Sequence, residues 1–325
     1  MSAGMSPRLI VLALVCAIPL VQYNSYWLHV FSLALIGAVL AMGLQLLVGK
    51  AGVLSLGQGA FYGIGAYTAG GLAVSWNLPF IAAVLVGGVS AAVASLLLIP
   101  IVRLKGSSLA VATLGFGIIV HVVMLNEDWL TGGSIGMMDI PAPSLLGMNF
   151  GAEAAFYYVC VTVAGFVYFA LNRIAHSRFG RGLVAISQDE EAARASGISV
   201  NVYKSKCFLV AAFTAGLAGG LYAYHSRYLN PNDFTFLKSI DILIMVVIGG
   251  LGSLPGAALG AVIVVLAPEL LRSSGELRLI LFGLLVIVLM GTGNRGLAGL
   301  IADFVAHVGT RLRRTASAQA AKPVI

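Results

Sequence analysis

Along the chain, apolar residues come in runs that matter on the scale of a lipid bilayer, whose ~30 Å hydrocarbon core takes roughly 17 to 25 helical residues to cross. Such runs fall at 9–22, 26–48, 59–76, 80–102, 109–125, 153–172, 207–226, 238–254, 255–271 and 277–292. They predict an all-α integral membrane protein with about ten transmembrane helices. The first run, after Arg8, has the outline of a secretory signal. No small-x-small cleavage site follows it, and Val15 before Cys16 makes a poor lipoprotein box, so it reads as a first membrane helix.

Composition agrees with the pattern. The 325 residues are 59% hydrophobic and 10% charged, with a mean hydropathy of +0.99, whereas soluble domains carry about 25% charged residues. The net charge of +7 does not point to nucleic acid, because the basic residues form no single face and accompany no recognition motif. They sort by side of the membrane instead. With both termini cytoplasmic, 15 of the 19 Lys and Arg fall inside, among them Lys50, Arg103, Arg173, Arg178, Arg181, Lys204 and Lys206. Arg227, Lys238, Arg272 and Arg278 fall outside. The outer loop 126–152 holds Glu127, Asp128 and Asp139 and no basic residue, and reads as an ordered surface loop. Cys16, Cys160 and Cys207 are scattered in apolar surroundings and suggest neither a disulfide framework nor a metal site. Residues 1–300 are expected to form one polytopic membrane domain, and 301–325, with Arg311, Arg313 and Arg314, a basic cytoplasmic tail.

Two glycine-rich breaks interrupt the runs. Gly49-Lys50-Ala51-Gly52 leads into Ser55-Leu56-Gly57-Gln58-Gly59, and Gly249-Gly250-Leu251-Gly252 leads into Ser253-Leu254-Pro255-Gly256. Each runs into Gly-Ala-x-x-Gly, at Gly59 to Gly63 and Gly256 to Gly260. Non-helical backbone at membrane depth survives only where protein or a watery cavity satisfies it, and paired breaks mark pathways in transporters. The simpler reading of such spacings, and of Gly216/Gly220, is close helix approach. The pathway candidates are Ser55, Gly57, Gln58, Gly59, Tyr62, Gly250, Gly252 and Ser253, which offer hydrogen bonds and little charge.

The cytoplasmic loop 173–206 is long for a connection and predicts a short helix. Ser187 and Glu190 have the spacing of a capping box, Asp189, Glu190 and Glu191 place negative charge at the positive end of the helix dipole, and Gly197 suits a left-handed C-terminal cap. Ala192, Ala193 and Ala195 give it a small face. A solvated helix tying two membrane helices together is the simpler reading of these residues alone.

Glu191-Ala192-Ala193 with Gly197 resembles the loop by which permeases of ATP-binding-cassette (ABC) importers dock on their ATPase subunits. Gly180-Arg181-Gly182-Leu183 before it, Leu54 to Tyr67 around the first break and Val246 to Ser253 around the second are similar to motifs of the branched-chain amino acid permease family, in particular its LivM-like branch. The likeness covers nearly the whole chain. Gly293-Asn294-Arg295-Gly296-Leu297 departs from it, standing where that family usually has Arg-Pro-Gln-Gly-Leu. The resemblance implies an ABC-importer permease fold in the bacterial inner membrane, with Ser187, Glu190, Glu191, Ala192, Ala193 and Gly197 at the ATPase. It also implies a second, homologous permease subunit, two ATPases and a periplasmic solute-binding protein, and a branched-chain or similar small amino acid as cargo. Urea or a short amide is the alternative cargo.

No GxxxxGK[ST] occurs, so ATP and magnesium are expected on the partner ATPases, with no cofactor on this chain. An ion-coupled transporter is the rival mechanism. It needs ionisable groups inside the helices, and the candidates are His121, Asp241 near Lys238 and Glu269 near Arg272, the two pairs spaced as edge ion pairs. Ser107 and Ser108 lack a GxSxG setting and H-E-x-x-H is absent, so an enzyme is not expected.

Overall fold

The computed structural model describes residues 24–272 apart from 105, 146 and 147, together with residue 19 and scattered helical positions between 277 and 287. Nearly all of the predicted segment 9–22, most of 277–292 and the tail 301–325 lie outside the described residues.

Helix α1, Ser25–Gln45, begins where the Asn24 side chain accepts from the Tyr26 amide at 3.0 Å, and it passes into a π-helical turn, Leu46–Lys50. Then follow α2 (Gln58–Trp76), α3 (Phe80–Ser95), α4 (Ser107–Asn126) and α5 (Glu153–His176). The loop 173–206 holds α6 (Arg178–Gln188) and α7 (Glu190–Ala195), and the chain returns through α8 (Val200–Ser226), α9 (Phe236–Gly249) and α10 (Leu254–Leu270). Each predicted segment from 26–48 to 255–271 overlaps a helix, with differences at the ends. Five described helices, Ser25–Lys50, Phe80–Leu98, Ser107–Asn126, Glu153–His176 and Val200–Ser226, are long and apolar enough to cross a membrane. Helices α9 and α10 are shorter, at 14 and 17 residues. The run 80–102 is not one helix: α3 stops at Ser95 and 3-10 turns at Leu96–Leu98 and Ile101–Arg103 carry the chain around Pro100, which lacks the amide an α-helix needs there.

Helix α8 packs most extensively on α2 and α3, and α1 lies against α10, α5 and α8. Small residues permit this. A Cβ on Gly87 would lie 2.7 Å from the Gly65 carbonyl, and one on Gly216 would lie 2.9 Å from the Gly88 Cα. Backbones of α2, α3 and α8 therefore touch, as membrane helices do where lipid supplies no hydrophobic drive. Valines and isoleucines on the opposite faces, Val89 and Val93 of α3 and Val111 and Ile119 of α4, stay exposed together with Phe166 and Phe169 of α5. Apolar surface on that scale needs a lipid or protein cover.

The loop after α4 is ordered. Its Thr131 hydroxyl donates to the Met124 carbonyl at 2.7 Å, Met137 and Leu229 exchange backbone bonds at 3.0 and 2.9 Å, and a small hairpin pairs Ser144–Leu145 with Met148–Asn149.

Candidate functional site

In the loop 173–206 the sequence sets up two competing caps. Ser187 belongs to α6, and its hydroxyl donates back to the Val184 carbonyl at 2.8 Å. Extended backbone at Asp189 ends α6, and the Asp189 carboxylate accepts from the Glu191 and Ala192 amides at 2.8 and 3.1 Å. The expected capping box between Ser187 and Glu190 is therefore not formed. Asp189 caps α7 because the preceding helix has already engaged Ser187. Gly197 ends the element at φ +82° as expected, with its amide donating to the Arg194 carbonyl at 2.9 Å.

The two glutamates of α7 part company. Glu190 turns inward and pairs with Lys204 of α8, whose side chain is 4% exposed, and with Arg194 at 3.8 Å. Glu191 turns outward with its side chain 69% exposed, 3.9 Å from Arg194. The predicted small face also divides: Ala193 is buried with Ile186 and Val200, while Ala192 and Ala195 face outward.

This loop seats directly on the first break. Gly52, at φ +65°, lies so close to the end of α6 that an added Cβ would come within 3.1 Å of the Ser187 Cβ. Three residues earlier, a Cβ on Gly49 would lie 2.6 Å from the Gly252 amide of the second break. The two breaks thus abut, and one of them touches the loop.

Side chains from distant helices satisfy the irregular backbone, as burial among apolar helices demands. The Leu56 amide donates to Thr113 Oγ1 of α4 at 3.0 Å, and the Gly59 amide donates to Ser239 Oγ of α9 at 2.8 Å. Gln45 of α1, its amide oxygen facing the second break, accepts from the amides of Gly252 and Ser253, the latter at 2.8 Å. Ser253 caps α10 by accepting from the Gly256 amide at 3.1 Å. Gln45, Thr113 and Ser239 were not among the predicted site residues. Their one signal is a polar side chain inside an apolar run.

Of the predicted pathway residues, Ser55 and Gln58 are fully buried. Ser55 accepts from the Gly57 amide at 3.4 Å. Gln58 donates to the Ala211 carbonyl of α8 at 3.0 Å, while its own amide oxygen has no hydrogen-bond partner. Tyr62 packs in an aromatic cluster with Tyr222 and Phe234, its ring tilted to both at centroid distances of 5.4 and 5.2 Å. Gly57 backs onto the Thr113 carbonyl, and Gly250 and Gly252 hold φ values of +102° and +90° that glycine adopts freely. Both Gly-Ala-x-x-Gly motifs pack on one strip of chain: Gly59 and Gly63 on Phe234 to Ser239, Gly256 and Gly260 on Met245 to Gly249. A half-open apolar cavity of about 260 Å³ lies elsewhere, between α2 and α4, lined in part by Ile64, Tyr67, Val120 and Thr131.

The ionisable groups weighed for ion coupling are mostly engaged. His121 Nδ1 hydrogen-bonds the Pro231 carbonyl at 3.1 Å, and Arg272 pairs with Glu269 at 3.2 Å and donates to Tyr26 Oη at 2.7 Å. Tyr26 in turn hydrogen-bonds Glu269. No ion pair joins Lys238 and Asp241 among the described residues, so that predicted pair is not made.

Comparison with known proteins places this arrangement. The High-affinity branched-chain amino acid transport system permease protein LivM of Escherichia coli K12 is 35% identical over 290 residues, covering 82% of this chain and 68% of its own length. LivM of Salmonella typhimurium matches to the same extent. LivH of Escherichia coli K12 is 28% identical over 286 residues, 80% of this chain and 91% of its own. No solved structure matches. The family described as branched-chain amino acid transport system / permease component matches residues 26–290, and the chain belongs to that family.

Proposed function

We propose that this chain is a permease subunit of an ABC importer that carries branched-chain amino acids inward across the cytoplasmic membrane. Both termini are cytoplasmic and about ten helices cross the membrane. A homologous second permease completes the conduit, two ATPases hydrolyse ATP beneath it, and a periplasmic binding protein delivers the solute. The relatives' names supply the cargo, and both a LivM and a LivH among them favour a pair of unlike permeases.

The observation that carries this reading is the seat of α7. A capped cytoplasmic helix presents Glu191, Ala192 and Ala195 outward, is pinned to α8 through Glu190 and Lys204, and sits beyond Ser187, which rests on Gly52. A push on α7 is delivered to the first break and, across the contact of Gly49 with Gly252, to the second. Ser187, Glu190, Ala193 and Gly197 hold the element in shape, and Glu191 and Ala192 meet the ATPase. Ser55, Gly57, Gln58, Gly59, Tyr62, Gly250, Gly252 and Ser253 surround the conduit. The unpartnered Gln58 oxygen is an acceptor available to a solute amine or a water.

The test is ATP-dependent uptake of radiolabelled leucine in proteoliposomes holding this chain with the neighbouring permease, ATPases and binding protein. Uptake that requires ATP and all components is expected. Uptake of urea or acetamide in preference to leucine would reassign the cargo, and leucine uptake driven by an ion gradient without ATPases would overturn the reading.

A further inference from the structure

Away from the breaks and the cytoplasmic loop, three metal-ligating side chains from three helices converge where α1 and α5 begin and α8 ends. His29 of α1, Glu153 at the first position of α5 and His225 in the last turn of α8 bring one ligand atom each within 4.8 Å of the others. His29 Nδ1 lies 3.4 Å from Glu153 Oε1, and the two imidazoles stack with centroids 3.9 Å apart. Phe156 stacks on the His225 ring at 5.3 Å and holds its plane.

Internal bonding does not account for this cluster. His225 is 8% exposed, yet its Nε2 has no hydrogen-bond partner, and neither has the buried Oε2 of Glu153. Buried polar atoms are nearly always paired. Two bare atoms in one group, an imidazole nitrogen and a carboxylate oxygen, call for an acceptor of electron pairs. The nearby cation, Arg227, directs its guanidinium to the Gly151 carbonyl at 3.1 Å. A cavity of about 20 Å³ borders Glu153, His225 and Arg227, room for one water.

We infer that His29, Glu153 and His225 bind a first-row divalent metal ion, zinc above all, which ties the first turns of α1 and α5 to the last turn of α8. Two neutral imidazoles and a carboxylate are the donor set of a three-ligand zinc site whose fourth position is taken by water. Calcium and magnesium prefer oxygen donors throughout. Zinc–ligand bonds of about 2.1 Å set the ligand atoms of a tetrahedron roughly 3.4 Å apart. Closing to that spacing takes about an ångström of side-chain movement, and His29 and Glu153, with side chains 40% and 35% exposed, have the freedom to supply it.

The full-length protein, purified in detergent and stripped with EDTA, is dialysed against zinc sulfate, and bound metal is counted by mass spectrometry. About one zinc per chain is expected in the wild type, with binding weakened by at least the roughly tenfold that losing even an outer-shell partner costs in His29→Ala and in Glu153→Gln. His29→Ala also removes the ring stacked on His225, whereas Glu153→Gln keeps every ring in place, so loss of zinc in Glu153→Gln separates a lost ligand from lost packing. Zinc should also raise the thermal unfolding midpoint of the wild type and not of the variants, and magnesium should leave all three unmoved. A wild type that retains no zinc, or variants that retain as much as the wild type, would overturn the site.

Discussion

At Gln58 one side chain carries two different consequences. Its nitrogen donates to the Ala211 carbonyl, which fastens the start of α2 to α8, and its oxygen is buried without a partner. If fastening were its whole role, Gln58→Ala would lower stability by about 0.5 to 1.5 kcal/mol, the net value of one hydrogen bond, and leave uptake per assembled complex unchanged. The bare oxygen argues for more. Gln58→Leu, which keeps the volume and removes the acceptor, is expected to depress uptake several-fold while assembly and basal ATP hydrolysis stay intact, and wild-type uptake per complex would remove Gln58 from the conduit. Gln45 is the complementary case, since both amides it receives belong to the second break. Gln45→Leu takes the acceptor from the Gly252 amide and leaves the Ser253 amide only its long 3.4 Å bond to the Gly250 carbonyl, at a cost of about 1 to 3 kcal/mol for the stranded donor, so a drop of several degrees in the thermal midpoint of the purified complex is expected.

Helix α7 puts two neighbouring glutamates to opposite uses, and paired substitutions separate them. Glu190→Gln strips the partner from a buried lysine, and breaking a buried pair on one side costs about 3 to 5 kcal/mol; reduced membrane abundance is the expected outcome. Glu191→Lys acts on an outward side chain, where surface changes stay within about 0.5 kcal/mol. Normal insertion with uptake uncoupled from ATP hydrolysis is expected, and normal uptake would sink the docking role. This division shows what a linear reading can and cannot reach. The existence of α7, its left-handed end at Gly197 and its acidic start were legible, because caps act over three or four residues. The choice of cap was not: Ser187 and Asp189 are both good caps, and only α6 decides between them. The pattern did not announce α6, whose Gly180 and Gly182 weaken its helix signal but are needed where the chain crowds the Ala175 carbonyl and the Tyr203 ring. Likewise Gln45 and Ser239 serve backbone about 200 residues away, a distance over which no spacing rule runs. The Gly-Ala-x-x-Gly echo was legible as a pattern, and its physical content is that α9 and its lead-in lie against both motifs.

For the whole molecule, charge and packing can be checked against each other. The sorting of Lys and Arg is the ground for expecting the loop 126–152 outside and 173–206 inside. Contacts made independently of charge fix which segments share a side, though not which side is inside: Gly52, just after Lys50, rests on Ser187, while Tyr26 at the other end of α1 meets Glu269 and Arg272. Helix α1 therefore runs from the side that holds Arg272 to the side that holds α6, and α5, whose Glu153 contacts His29, leaves from the same side as α1. An error of one helix in the described region would have set a basic loop against an acidic one. Single cysteines at the exposed positions Ser134 and Asn201, in a background lacking Cys16, Cys160 and Cys207, test the result with a membrane-impermeant maleimide. Ser134→Cys is expected to react in intact cells, and Asn201→Cys only after the inner membrane is opened. Reaction of both positions from the same side would invert half of the topology, and with it the placement of α7 on which the proposed docking of an ATPase rests.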